Sequence, residues 1–490
     1  MSLDLSIEES LQTFDEIPGP KGNFLTGNLS QIKFEQFHQY VKEKSQEYGS
    51  IFRLAFAHKP VIVVSDPEVV RYILKNRPDK FRRITAIEAV FEELGVNGVF
   101  SSEGEQWLVQ RKMMNQAFKT SQIENYYPII SNTTARFLGV MNDLASKEET
   151  VDIQALLQRY TVDITTNLAF GYDVNSLSNS DSEFQQQINH IFPMLSNRIK
   201  APIPYWRYFK LKKDKDLDKS IEFIKELSTK FIQTAEDKIN PGQLPENILQ
   251  AMILARDEKG NSFNHEKLFA NIITLLLAGE DTTANTLSWV IHYLVENPEI
   301  QDTLYHEIIE KSASISLTDA DNLDQFPTVS AVIQEAMRLM PVAPFTYLEN
   351  YAQENIAGYK IPKGTMIVVL LSQTGHDPDV FKEPEKFDPQ RWLTLSVEEK
   401  KKLSKELMHF GSGARQCPGM QLSLLEMKCA LISLFKQFIF FRANDSKKTE
   451  DYFAFTVMPK NLNVMVRRRE QGEKNILIEN SDFIMEETPV

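Results

Sequence analysis

The sequence predicts a mainly α-helical fold with small β-sheets, and three observations predict it. Apolar residues recur at helical spacing over most of the chain as far as about Asn297. Alternating and β-branched runs occur only in short, widely separated places. The composition, 42% hydrophobic, 25% charged and 10% aromatic, is that of an ordinary globular chain with a sizeable core. No internal repeat or low-complexity linker divides it.

Taken in order, the first stretch, MSLDLSIEESLQTFDEIPGP, carries Asp4, Glu8, Glu9, Asp15 and Glu16 without a basic region or a long apolar core. Residues 1–17 therefore read as an acidic N-terminal extension, neither signal peptide nor membrane anchor. Turn-rich IPGPKGNFLTGN leads into a helix over 31–48, and SIFRLAF with PVIVVSD forms a hairpin. Helices follow, interrupted at 95–104 and 201–204. One long helix spans 264–297, with Asn264 as N-cap and Pro298 as its stop. At 1.5 Å per residue it is about 50 Å long, enough to cross a domain. Extended structure returns in YKIPKGTMIVVLLSQ and in FAFTVMPK with NLNVMVR, separated by a helix over 420–441. Residues 470–490 form an acidic C-terminal tail. Residues 18–469 are then a single domain.

Formal net charge is −13 and the pI is about 5.3, which argues against a nucleic-acid binder and favours small molecules or proteins as partners. Two cysteines cannot build a disulfide framework and point to a reducing, cytoplasmic setting. Apolar runs such as 272–278 and 366–371 are far short of the roughly 18 residues that a membrane span requires. A soluble protein without a transmembrane anchor is expected.

Two segments carry unusual chemistry. Within the long helix, LLLAGEDTTA sets Gly279, Glu280 and Asp281 after its most apolar stretch, followed by Thr282 and Thr283. Glycine and back-bonding threonines weaken a helix, so a groove edged by an acid and a hydroxyl is expected there. The competing reading is a helix that surfaces briefly with solvated acids. The second segment, HFGSGARQCPGM, holds Cys417 among glycines at the N-terminus of an apolar helix. Nearby amides and the helix terminus favour a thiolate. Cys429, inside that helix, reads as a small core hydrophobe.

One thiolate without further ligands cannot build a zinc or iron–sulfur site, whereas one axial ligand suffices for haem. FGSGARQCPG resembles the FxxGxRxCxG signature of the cytochrome P-450 haem-thiolate family. The other family marks follow in order: WLVQR resembles WxxxR, AGEDTTA the oxygen-activation motif, EAMR the ExxR helix and FDPQRW the meander. The resemblance runs from about Pro18 to about Arg467 and implies the P-450 fold, with the long central helix over the haem.

It implies that Cys417 ligates the iron of heme b, that Arg415, Trp107 and Arg111 contact its propionates, and that Phe410 packs beside the sulfur. Glu335, Arg338 and Arg391 would form a buried structural network. Asp281 and Thr282 fall at the acid and alcohol positions of proton delivery, leaving Glu280 structural or solvated. The stretch PVAPFTYLENY departs from the family in lacking an arginine toward the haem. The implied activity is monooxygenation: one atom of dioxygen enters an apolar organic substrate and the other leaves as water. A fatty acid, terpenoid or steroid-like substrate is expected from apolar walls at 84–100, 191–209, Ala278, 342–347 and 452–457.

No GxGxxG fingerprint or reductase segment is found, so NAD(P)H electrons would arrive through separate proteins, a ferredoxin or flavodoxin and its reductase. Lys400, Lys401, Lys402 and Lys405, with Arg111, Lys112 and Lys119, form either a docking patch or a solvated charge run. A soluble, bacterial-type monomer is the expected form. A peroxide-driven hydroxylase and a non-catalytic haem-thiolate sensor are the alternatives; retention of Asp281 and Thr282 counts against both.

Overall fold

The 264–297 segment folds as one helix, His265–Glu296, in a computed structural model that describes residues 11–470 apart from 180–182, 202, 241 and 444–446. The Asn264 side chain accepts from the Lys267 amide at 2.9 Å, and Pro298 opens the next helix. This central helix packs along Ile153–Phe170, Pro327–Leu339 and Met420–Gln437, so the largest apolar core surrounds it.

The weakening expected at 279–283 does not break the helix, which runs through from His265 to Glu296. Its hydroxyls bond one turn back, Thr282 to the Ala278 carbonyl at 2.6 Å and Thr286 to that of Thr282 at 2.8 Å, while the backbone ladder stays closed. Gly279 serves close packing: a Cβ there would stand 2.7 Å from Thr165 Oγ1 on the neighbouring helix.

The hairpin strands Ile51–Phe56 and Lys59–Val64 join a five-stranded sheet through Met366–Leu370, then Phe345–Asn350, then Phe81–Arg83. Lys59–Val64 pairs parallel with Met366–Leu370, and the other pairs are antiparallel. Alternation buries both faces: Val61 and Val63 pack with Phe37 and Val41, Ile62 and Val64 with Val70 and Ile73.

Two expected boundaries move. The helix over 31–48 begins only at Phe37, after short 3-10 turns at Leu29–Gln31 and Phe34–Gln36. The helix over 420–441 stops at Gln437, because the aromatic and β-branched run Phe438–Arg442 instead pairs with Asn463–Arg468 as a strand. Residues 11–17 of the acidic extension dock on the domain: Gln12 exchanges bonds with Gly358 and Lys360, and Ile17 is buried. Residues 1–10 and nearly all of the acidic tail lie outside the described residues.

Candidate functional site

The cysteine loop is shaped by glycine. The helix Val397–Leu407 ends at Met408, and the chain turns through Gly411 and Gly413, with φ of 71° and 69°, before Met420–Gln437 begins. A Cβ on Gly413 would meet the Leu74 carbonyl oxygen at 2.7 Å, so only glycine lets the loop lie against its neighbour. The Cys417 amide donates to the Phe410 carbonyl at 2.8 Å, closing the loop below the sulfur.

The Gly419 and Met420 amides donate to that sulfur, and the Arg111 charge acts on it. Cys417 opens onto free space, yet protein surrounds it so densely that burial dominates and pushes the thiol up. The amides act in the expected direction, toward the thiolate, but desolvation outweighs them. A directly bound cation would reverse the balance.

Next to this loop lies a recess of guanidinium groups. Arg415 donates to Glu103 Oε2 at 2.5 Å and to the Ser102 carbonyl at 2.9 Å, its plane 4.0 Å above the Trp107 ring. Arg83 lies 4.0 Å above Phe100, and its amide donates to Glu103 Oε1 at 3.0 Å. Burial, with the charges of Arg77 and Arg415, brings Arg83 down to about 9. Burial, partly offset by Glu103 and reinforced by the Arg77 charge, brings Arg415 down to about 10. The Nε and a terminal nitrogen of both Arg77 and Arg415, and Nε of Arg83, are buried without an acceptor among the described residues.

Arg77, Arg83 and Glu103 are absent from the sequence reading. Arg83 stands opposite Leu348 in the strand pair, so it comes from the strand beside PVAPFTYLENY, the stretch that lacks an arginine. The paired arginines of KFRRI just before the WxxxR segment were the available signal. Arg111 donates to the Gln416 carbonyl at 2.6 Å, bracing the cysteine loop, and Trp107 is buried beneath Arg415.

On the central helix, Ala278 is exposed after the buried Leu276 and Leu277, and Thr282 stands one turn beyond it. Asp281 accepts from Gln158 Nε2 at 3.0 Å, and burial pushes its carboxyl up. Glu280 is buried, not solvated: Gln185 Nε2 approaches it at 3.4 Å, and burial with the Asp281 charge raises it to about 8.

Glu335 and Arg338 are both 0% exposed, and the structure brings Arg391 to them. Arg338 Nε and a terminal nitrogen each reach Glu335 at 2.8 Å, Arg391 Nε at 2.9 Å and Trp392 Nε1 at 2.7 Å. Arg338 also donates to the carbonyls of Gly375, Pro384 and Lys386, at 2.5, 2.6 and 3.1 Å.

Of the expected pocket walls, Phe91 and Phe100 meet at 6.0 Å between ring centres, and Phe100 and Phe455 at 6.3 Å. Within 191–209, however, Tyr208 and Phe209 are 80% and 59% exposed. They turn outward because Trp206 and Arg207 beside them are tied to Glu93, whose carboxylate takes both donors. Lys401, Lys402 and Lys405 line a surface hollow with Arg71, but Glu398 and Glu406 share it, and Lys112 is paired with Glu258 at 2.6 Å.

These features agree with what the chain resembles elsewhere. It is 26% identical to mouse (Mus musculus) cytochrome P450 3A11, covering 86% of this chain and 85% of that protein. It is 26% identical to abscisic acid 8'-hydroxylase 1 of Arabidopsis thaliana, covering 84% and 82%. The crystal structure of the cytochrome P450DA heme domain superposes with a TM-score of 0.82 at 21% identity, over 93% of this chain and 98% of that one. The sequence model of the Cytochrome P450 family matches residues 17–466, and on that breadth the chain belongs to the cytochrome P450 family of haem-thiolate monooxygenases.

Proposed function

We propose that this chain binds heme b through Cys417 and inserts one oxygen atom into an apolar substrate of fatty-acid, terpenoid or steroid-like chemistry. The observation that carries the proposal is the set of unused, buried guanidinium donors beside the cysteine loop. Unsatisfied buried cations are costly, and two carboxylates on a planar cofactor would accept from them. Arg83 and Arg415 would take the propionates with Arg77 behind them, Trp107 would hold Arg415 by stacking, and Arg111 would brace the loop.

Heme b bound there supplies dioxygen activation at a thiolate-ligated iron. The chain's own groups exclude water and move protons. Phe91, Phe100 and Phe455 keep the substrate side apolar. Thr282 Oγ1, at rest on the Ala278 carbonyl, can instead hold a water in the open space beside Ala278. Asp281 carries protons inward from its partly exposed partner Gln158. Glu280 points to the 183–200 helix and has no part in the delivery.

The working form is a cytoplasmic monomer taking NAD(P)H electrons from a ferredoxin or flavodoxin and its reductase. The lysines of Val397–Leu407 are the docking patch, narrowed by the acids among them. The test is threefold. Cys417→Ser should lose the reduced carbon monoxide band of thiolate ligation, which Cys429→Ser keeps. Spectral titration with a small apolar library should find ligands. Turnover should need a surrogate ferredoxin and reductase, and equal turnover with hydrogen peroxide alone would overturn the electron-transfer part.

A further inference from the structure

The face of Ile153–Phe170 that lies on the central helix is polar. Gln154, Gln158, Thr161 and Thr165 recur at spacings of three and four, so they share one side of the helix. Each meets the central helix. Gln154 Nε2 donates to Asn285 Oδ1 at 3.1 Å, Gln158 Nε2 to Asp281 Oδ1 at 3.0 Å and Thr161 Oγ1 to the Glu280 carbonyl at 2.9 Å. Thr165 fills the space left by Gly279, and Asn285 donates onward to Thr456 Oγ1 at 2.9 Å. These contacts fix the register of the two helices, and the register places one amide on one carboxylate oxygen.

That geometry means Asp281 at rest is turned toward Ile153–Phe170, while Thr282 bonds back along its own helix. We propose that Gln158 is the positioning residue of proton delivery: its amide parks the Asp281 carboxylate on the outer side of the central helix, from which the acid swings inward to protonate. The proposal rests on the reading of Asp281 as the delivering acid. Gln158 is only partly buried, so the parked carboxylate can be recharged from solvent.

The surroundings are otherwise neutral or acidic. Ile153–Phe170 presents Gln154, Gln158 and Thr161, Glu183–Lys200 presents Gln185, and the central helix itself carries Glu280. Burial and the Gln158 amide are the influences on the Asp281 carboxyl, with no cation among the described residues acting on it. The amide therefore opposes desolvation, and the neighbouring Glu280 whenever that carboxyl is charged, and it stabilises the charged form.

The experiment uses the haem-loaded protein with Gln158→Met, which keeps the length but not the donor, alongside Asp281→Asn and Glu280→Gln. Infrared titration follows the carboxyl band that Asp281→Asn removes and Glu280→Gln does not. Its midpoint should rise by about one pH unit in Gln158→Met, with thiolate and substrate-induced spectra unchanged. Product per NADPH should fall and its pH dependence should move by the same amount. In Gln158→Glu, coupling should recover on acidification, when the new side chain regains a proton to donate.

A wild-type midpoint and coupling in Gln158→Met, with Asp281→Asn impaired, overturns the proposal alone. Wild-type coupling in Asp281→Asn overturns the reading of the acid and this proposal with it. A loss of haem or thermal stability in Gln158→Met without any movement of the midpoint assigns the amide a packing role and also overturns it.

Discussion

Replacing Glu335 by alanine should remove more stability than any other single change of a charged residue in this chain. Its carboxylate is 0% exposed and takes five donors: two from Arg338, and one each from Arg391, the Trp392 indole and the Asp388 amide. Breaking a buried ion pair by removing one partner costs about 3–5 kcal/mol, because the surviving charge is left uncompensated. Arg338 keeps three carbonyl acceptors, which hold its position but do not neutralise it. The orphaned indole and amide add about 1–3 kcal/mol each before overlap is discounted. Against a typical total of about 5–15 kcal/mol, the sum is enough to unfold the domain.

A graded series separates this from a general effect of mutation. Trp392→Phe removes one donor to a charged group and should cost about 1.5–3 kcal/mol, leaving folded holoprotein. Glu335→Gln, which keeps one oxygen but no charge, should fall between the two. Urea denaturation followed by the haem band and by tryptophan fluorescence gives the midpoints, and an unchanged slope shows that the same transition is measured. Glu335→Ala within about 1 kcal/mol of the parent, the range of a surface pair, would refute the reasoning.

Thr282→Ala should keep haem, substrate binding and reduction, yet divert electrons to hydrogen peroxide, read as product formed per NADPH consumed. Unchanged coupling would remove the hydroxyl from proton delivery. Arg83→Leu should lose haem faster to apomyoglobin than wild type while the apoprotein folds at least as well, since an uncompensated buried cation is gone. Glu426 is buried and its carboxyl is raised to about 8 by desolvation. A carboxyl raised in this way favours folding below its unfolded value, and that advantage is lost as pH climbs toward 8, at up to about 1.4 kcal/mol per unit. Glu426→Gln should therefore grow more stable relative to wild type between about pH 4.5 and 8, measured by denaturation at each pH, and a pH-independent difference would contradict the burial argument.

What could be read in the sequence is what lies close together along the chain. The cysteine loop, its glycines and the helix after it are contiguous, so backbone geometry and the electrostatics of a helix terminus suffice to single out Cys417. Glu335 and Arg338 share one helix, but in isolation they look like an exposed pair worth little. Their burial depends on the Phe381–Trp392 region that covers them, visible only through the meander resemblance. Arg83 escaped notice because its role depends on strand pairing with Phe345–Asn350, more than 260 residues away. Tyr208 and Phe209 misled in the other direction, since apolar composition does not say which side of a loop faces inward. Phe438–Arg442 failed for a third reason: a short apolar run is compatible with either period, and only its partner strand decides.

The same electrostatics link folding to cofactor loading. Arg77, Arg83 and Arg415 share a buried carboxylate, Glu103, and several of their donors have no acceptor among the described residues. Cys417 is poised by two amides and Arg111, yet burial still raises it. Each half of the site is therefore unfavourable alone: one has three cations on one carboxylate, the other a thiol whose ionisation burial opposes. A planar group with a metal cation at its centre and two carboxylates at its edge would relieve both at once. The two groups proposed for proton delivery on the central helix each have a partner within the protein. Thr282 is bonded to Ala278 and Asp281 to Gln158, so proton delivery can be removed by mutation without disturbing the fold. On the proposed reading, loading and chemistry reside in separable residues, and variants in the two sets should fail in different assays: haem retention for the arginines, coupling for the acid, the alcohol and the amide.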